Sequence, residues 1–334
     1  MTHQRGYDKI LTAEVEQIMS SNPFLYTLDN KRYHTLNYHN KQKYGAKVHK
    51  AVLDCGFTCP NKDGSKGVGG CIFCDGGSGY FTSGAISVTA QLDKETKRIT
   101  SKHGKDVLIT AYFQANTNTY APAEKLSELY SSVLASGRVH GISIGTRGDC
   151  LGGEVLDVLS ELNEKTELTV ELGMQSMHDS TIEYINRGCS HEDFLTGYFS
   201  LKERGIRTCI HIINGLPFET EEMMKKTASE LARMKPDAVK IQMLHVIEGT
   251  RLADEYSKGK FSLLTREEYI DITVKQLELL PAETVIERIT GDGDKTKLIA
   301  PQWSADKISV LGGIDKRMAE LDTYQGRLYK PQSL

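Results

Sequence analysis

From Val48 onward the chain alternates short β-rich runs with stretches of helical periodicity, and no other feature limits its fold as strongly. The spacing predicts strands at 48–53, 107–113, 140–145, 167–173, 206–213 and 238–244. In "APAEKLSELYSSVLASG" the apolar residues Leu126, Leu129, Tyr130, Val133 and Leu134 recur at i, i+3, i+4, i+7 and i+8. Pro122 suits the first turn of that helix and Gly137 its stop. Val155, Leu156, Leu159 and Leu162 form a similar stripe in "GGEVLDVLSELNE". "SHEDFLTGYFSLKERG" opens on a capping Ser190, places Asp193 three residues on and ends at Gly205. Such alternation requires parallel strands joined by right-handed crossovers. The fold class is therefore α/β: a full or partial barrel, or an open doubly wound sheet. In all of these, ligands sit at the carboxyl ends of the strands.

The first predicted strand leads into "LDCGFTCPNKDGSKGVGGCIFCDG", residues 53–76, which places this loop on that functional face. It holds Cys55, Cys59, Cys71 and Cys74, four of the chain's seven cysteines. No apolar run is long enough to span a bilayer, and the N-terminal "MTHQRGYDKI" has no apolar signal core. The expected location is a reducing cytoplasm, where clustered cysteines serve as metal ligands or catalytic thiols. The net charge of −3 says nothing of a general nucleic-acid coat. Two metal centres fit the spacing. C-x3-C-x11-C-x2-C is permitted for a four-thiolate zinc site. Three thiolates holding an iron–sulfur cluster with one open iron fit as well. A closed zinc site stabilises small folds, which a 334-residue chain does not need, and this loop lies where active-site loops belong. Both points favour the cluster.

These residues resemble the radical S-adenosylmethionine (SAM) superfamily, in particular the bacterial branch related to the Elongator catalytic subunit. The common signature there is C-x3-C-x2-C. Cys55 and Cys59 begin it, but its third position falls on Lys62, which cannot ligate. The match is to a longer-gap variant, "CPNKDGSKGVGGCIFC", with Cys59, Cys71 and Cys74 as ligands and Cys55 a small buried residue outside the triad. The resemblance covers about residues 23–325. It implies a 4Fe–4S cluster whose fourth iron chelates the SAM amino and carboxylate groups, and a 5′-deoxyadenosyl radical made by one electron. A flavodoxin or ferredoxin would supply that electron. It implies a partial (β/α)6 TIM-like barrel over 48–280, a basic extension over 1–47 and a C-terminal extension over 281–334. In that extension "VIERITGDGDKTKLIAPQWS" reads as a strand, a turn and a loop before a helix around 306–321.

The resemblance also implies a cofactor shell. Phe73 takes the aromatic position near the adenine. "LGMQSMHDSTIEYINRG" supplies Gln175, whose amide reaches ribose hydroxyls, and Arg187, whose guanidinium holds the methionine carboxylate. His211 in "IHIINGLPFET" takes a position of cofactor contact. Gln114 in "AYFQANTNTYAP" ends the second strand, where relatives contact the SAM amine. Thr146 and Arg147 in "GTRGDCL" end the third strand and face the groove, with Cys150 inert.

For the substrate, the local clue is residues 29–50. Lys31, Arg32, Lys41, Lys43, Lys47 and Lys50 stand against one acid, Asp29, with Tyr33, Tyr38 and Tyr44 interleaved. Lysines among tyrosines contact phosphates and stack on unpaired bases, or else form a solvated surface. A short helix over 10–21 precedes them, stopped near Pro23. The resemblance implies tRNA. The subgroup is linked to the wobble uridine, where a carboxymethylaminomethyl group at C5 becomes aminomethyl. The Elongator relatives carry an acetyltransferase domain that is not expected here. Two alternatives are a radical enzyme acting on a small molecule or protein, and a zinc-stabilised nucleic-acid-binding module without catalysis.

Overall fold

The computed structural model describes residues 22–75, 86–291 and 293–331; the expected helix over 10–21 lies outside them. Six strands form where the sequence places them, their ends shifted by one or two residues: β1 (Val48–Leu53), β2 (Leu108–Phe113), β3 (Gly141–Thr146), β4 (Glu167–Gln175), β5 (Arg207–Asn214) and β6 (Ala238–Met243). β7 (Val246–Ile247) and β9 (Leu298–Ala300) make a small antiparallel pair. β8 (Val285–Arg288) joins the main sheet beside β6. The order is β1-β2-β3-β4-β5-β6-β8, parallel throughout, which makes a seven-stranded half-barrel of the α/β class. The sheet thus runs past residue 280, into the segment expected as a C-terminal extension.

The helices are α1 (Leu36–Tyr44), α2 (Val88–His103), α3 (Ala123–Ala135), α4 (Gly153–Lys165), α5 (Asp179–Tyr184), α6 (His191–Glu203), α7 (Glu221–Met234), α8 (Arg251–Ser257), α9 (Arg266–Leu279) and α10 (Lys307–Glu320). Ser190 and Asp193 form the foreseen capping box on α6, and Thr265 and Glu268 form another on α9. Each strand has one apolar and one polar face. On β4, Leu168, Val170, Leu172 and Met174 enter the core beneath the helices. The residues between them, Thr169, Glu171, Gly173 and Gln175, face the lumen. The core set continues with Ile142 and Ile144 on β3, Ile210 and Ile212 on β5, and Val239 and Ile241 on β6.

The lumen face carries a buried ionic network. Glu171, with no exposed side-chain surface, accepts from Lys50 at 2.5 Å, from His211 at 2.8 Å and from Lys240. Glu287, 3% exposed, takes Lys50 at 2.9 Å and Arg207 at 3.1 Å. Burial alone would raise the Glu171 carboxyl, but Lys240 and Lys50, with the His211 hydrogen bond, outweigh it and hold it well below its ordinary value. Burial, then Lys240, lowers the His211 imidazole, which stays neutral near pH 7. These side chains come from β1, β4, β5, β6 and β8, so the network ties the two edges of the sheet to its centre.

The basic segment is used differently from the phosphate-contacting patch expected for it. Lys31 pairs with Asp315, Arg32 with Asp322 at 2.8 Å, Lys43 with Glu167 at 2.7 Å, and Lys50 belongs to the lumen network. Tyr33 is buried, and Tyr44 packs edge-on against His140 at 4.5 Å. Lys41 and Lys47 remain exposed. α1 lies against the amino ends of the strands. It covers a cavity of about 140 Å³ lined by Leu36, His39 and Tyr44 of α1 and by Lys50, Arg207 and Glu287 of the lumen. The segment therefore closes the mouth opposite the cysteine loop.

Replacing Glu171 with Gln leaves Glu287 as the remaining carboxylate for Lys50 and Lys240 and is expected to lower unfolding free energy by about 3 kcal/mol, read by denaturant titration. Because the folded-state value of Glu171 is depressed, its stabilisation is present in full above the ordinary glutamate range and is lost progressively as pH falls from there down through the folded-state value. Wild-type melting temperature should fall progressively as pH drops below about 4.3, the unfolded value, and the Glu171→Gln variant should show a shallower fall.

Candidate active site

Parallel strands place the ends of β1 to β6 at one mouth, where the cysteine loop meets the segments that follow β2, β3 and β4. The Cys59 carbonyl accepts the Lys62 N–H at 2.8 Å and the Cys71 carbonyl accepts the Cys74 N–H at 3.0 Å, so each end of the triad sits in a tight turn. Asn61 is fully buried. Its Nδ2 donates to the Asn186 carbonyl at 2.6 Å and approaches Cys71 Sγ at 3.8 Å. Asn186 answers with bonds from its Nδ2 to the Val68 and Gly70 carbonyls, at 3.1 and 2.8 Å. Ile72 N–H donates to the Ile185 carbonyl at 3.0 Å. Lys62 Nζ donates to Asn116 Oδ1 at 2.8 Å, and Asn116 Nδ2 to the Phe57 carbonyl at 2.9 Å. The loop is thereby stitched to the segments after β2 and β4. Sequence reasoning missed Asn61, Asn116 and Asn186. Only their place inside the quoted motifs marks them, because an asparagine that bonds backbone carries no spacing signature.

None of the seven cysteines is in a disulfide. Cys55 packs against the main core, within electrostatic reach of Lys125 and Tyr130 of α3, and burial pushes its thiol up to about 12. Among the described residues no three His, Cys, Asp or Glu side chains stand close enough to hold one metal ion. A zinc site needs sulfurs about 3.8 Å apart, from Zn–S bonds of about 2.3 Å. A cluster spreads its thiolates over separate irons and needs no such close grouping.

Above the ionic network, Gln175 and Arg187 converge on Gly173. A Cβ at Gly173 would meet Gln175 Nε2 at 2.5 Å and Arg187 Nη2 at 3.3 Å. Arg187 Nη2 donates to the Gly173 carbonyl at 2.8 Å. Gln175 Oε1, Arg187 Nε and Asn61 Oδ1 are buried without a hydrogen-bond partner. Leaving such groups unsatisfied costs about 1–3 kcal/mol each, so a cradle of this kind fits a polar ligand with both donors and acceptors. SAM, with its carboxylate, amine and ribose hydroxyls, is such a ligand, and three thiols on an adjoining loop fit the cluster's donor set.

The other expected residues make the following contacts. Arg147, 2% exposed, donates to the Arg187 carbonyl at 2.8 Å, to the Gly188 carbonyl at 3.0 Å and to both oxygens of Asp149. Its guanidinium therefore positions the 187–188 segment. Thr146 bonds Thr119 at 2.6 Å. His211 pairs in register with Gly173 but gives its Nε2 to Glu171, one layer below Gln175. Gln114 follows β2, its N–H bonded to the Leu53 carbonyl at 3.0 Å. Phe73 is half-buried against the smaller core cluster that contains Ile72, Ile185 and Leu216.

Comparison with known proteins decides the family. Residues 63–231 match the model of the radical SAM superfamily, and residues 236–320 match that of the radical SAM C-terminal domain. The chain belongs to the radical SAM superfamily. Its cofactors are accordingly a 4Fe–4S cluster and SAM. YtqA of Bacillus subtilis (strain 168) is 45% identical over 94% of this chain and 98% of its own length. The tRNA uridine(34) acetyltransferase of Methanocaldococcus jannaschii is 30% identical over 53% of this chain, which corresponds to 32% of that protein. The archaeal Methanocaldococcus infernus Elp3 with an N-terminal deletion (1–46) shares the fold at a TM-score of 0.64 and 20% identity, over 84% of this chain and 64% of that one. Among the described residues no helix is long and apolar enough to cross a membrane.

Alanine at Cys59, Cys71 or Cys74 is expected to abolish cluster assembly in this radical SAM chain, whereas Cys55→Ala retains wild-type iron and visible absorbance after anaerobic reconstitution. Equal metal loss in Cys55→Ala would restore the four-thiolate reading. Gln175→Ala and Arg187→Ala should keep their iron and weaken SAM binding by about ten- to hundredfold, measured by equilibrium dialysis.

Proposed function

We propose that this enzyme modifies the wobble uridine of tRNA, converting a carboxymethylaminomethyl group at C5 to aminomethyl. One observation carries the reading: the barrel is similar to that of a protein described as a tRNA uridine(34) acetyltransferase, with the shared part confined to about a third of that relative. The reaction suits the family, since polar mechanisms do not readily break unactivated C–H or C–N bonds.

In this reading Cys59, Cys71 and Cys74 hold the cluster. When bound, it supplies the electron, received from a flavodoxin or ferredoxin, that cleaves SAM and provides a carbon-centred radical. Gln175 and Arg187 orient the cofactor at Gly173 through the atoms left unpartnered there. Phe73 flanks it on the apolar side. Glu171 and its cations close the lumen below and exclude bulk water from the mouth. Thr146 and Gln114 line the adjoining strand ends, and His211, fixed on Glu171, supports the floor. The tRNA enters at the mouth that carries the cysteine loop.

The deciding measurement is the tRNA nucleoside profile of a deletion strain by liquid chromatography and mass spectrometry. Carboxymethylaminomethyluridine should accumulate and its aminomethyl-derived products should disappear. Normal wobble uridines, together with no tRNA binding by the purified protein, would replace this reading with a small-molecule or protein substrate. Since α1 closes the opposite mouth, replacing Lys41, Lys43 and Lys47 together with Glu should leave tRNA affinity and its salt dependence unchanged. A salt slope shallower by about 2 to 3 would instead make this segment a phosphate contact.

A further inference from the structure

Phe218 is unfavourably placed in two respects. Its backbone φ is +67°, a region that bulky L-residues avoid. Its side chain is 62% exposed, while Leu216 of the same turn is 2% exposed and Pro217 is buried. The turn is pinned on both sides. Glu219 N–H donates to the Leu216 carbonyl at 3.1 Å, the Glu219 carboxylate accepts from Ser176 Oγ, and Thr220 caps α7. Glycine would hold this backbone without strain, and a polar residue would suit the exposure. Neither folding nor solubility explains a phenyl ring here. Such outliers persist at sites where the side chain has a task.

The position indicates the task. Phe218 follows β5 and so stands on the cysteine-loop mouth. Its ring packs edge-on against Tyr184, centroids 4.9 Å apart and planes at 82°. Tyr184 is itself held by a bond from its hydroxyl to Glu255. Tyr184 immediately precedes Ile185, Asn186 and Arg187, which grip the cysteine loop and line the cradle. An exposed ring, braced by a second fixed ring three residues before Arg187, therefore stands on the mouth that carries the cysteine loop.

We propose that Phe218 is a stacking platform for an unpaired nucleobase next to the modified uridine. This inference rests on the tRNA reading and deepens it. A uridine drawn into the mouth leaves its stack, and its neighbour loses a partner. An aromatic face replaces that partner without regard to sequence, because every base has a π-face.

The test is fluorescence anisotropy of a labelled anticodon stem–loop RNA with uridine at the wobble position, titrated with reconstituted Phe218→Gly, Phe218→Leu, Phe218→Tyr and Phe218→Trp proteins across a salt series. Gly and Leu should weaken binding about tenfold or more. Tyr and Trp should bind within about threefold of wild type. The salt slope should stay constant, since stacking neutralises no phosphate. Leu or Gly binding as tightly as Phe, or a slope shallower by about 1, would overturn the stacking role. Absence of binding by wild-type protein to this RNA and to whole tRNA would instead remove the tRNA reading on which it rests.

Discussion

Glu171 has no exposed surface and is held by Lys50, Lys240 and His211, from three other strands. A carboxylate is tolerated there only because its cations are buried with it, and the cations only because of the carboxylate. Apolar residues of similar volume would give comparable or greater stability, so the network is better understood through its geometry. It gives the half-barrel a polar floor of fixed height. Above that floor the next lumen-facing position of β4 is Gly173, whose missing side chain leaves the space that Gln175 and Arg187 enter. The site occupies that room.

The upper part of the site depends on backbone hydrogen bonds made by side chains. Asn61, Asn186 and Arg147 join three loops that no strand or helix connects. Gly188, at φ +65° and against Asn61, leaves no space for a Cβ. The loops that carry ligands are thus as determined as the sheet beneath them, although they lie outside regular structure.

The alternation of apolar and polar residues made the six strands and most of the helices readable, because each periodicity reflects one buried face. β8 was less evident as a sheet member: its four residues are separated from β6 by α8 and α9, and parallel pairing across such a distance leaves no local mark. The place of the cysteine loop, after β1 at the carboxyl ends of the strands, was legible in the alternation, whereas its ligand triad rests on the resemblance. The role of residues 29–50 was not. A count of lysines cannot show that Asp315, Asp322 and Glu167, far along the chain, take up their charges. Arg147 was expected in the groove and instead spends its donors on carbonyls and on Asp149. Charge composition is local information, whereas ion pairing depends on the completed fold.

The bond from Asn61 to Asn186 gives two parts of the site one support. The side chain beside Cys71 also holds the residue preceding Arg187. Truncating Asn61 would release the turn that carries Cys71 and the carbonyl before Arg187 together, so through this side chain neither segment can be altered without the other.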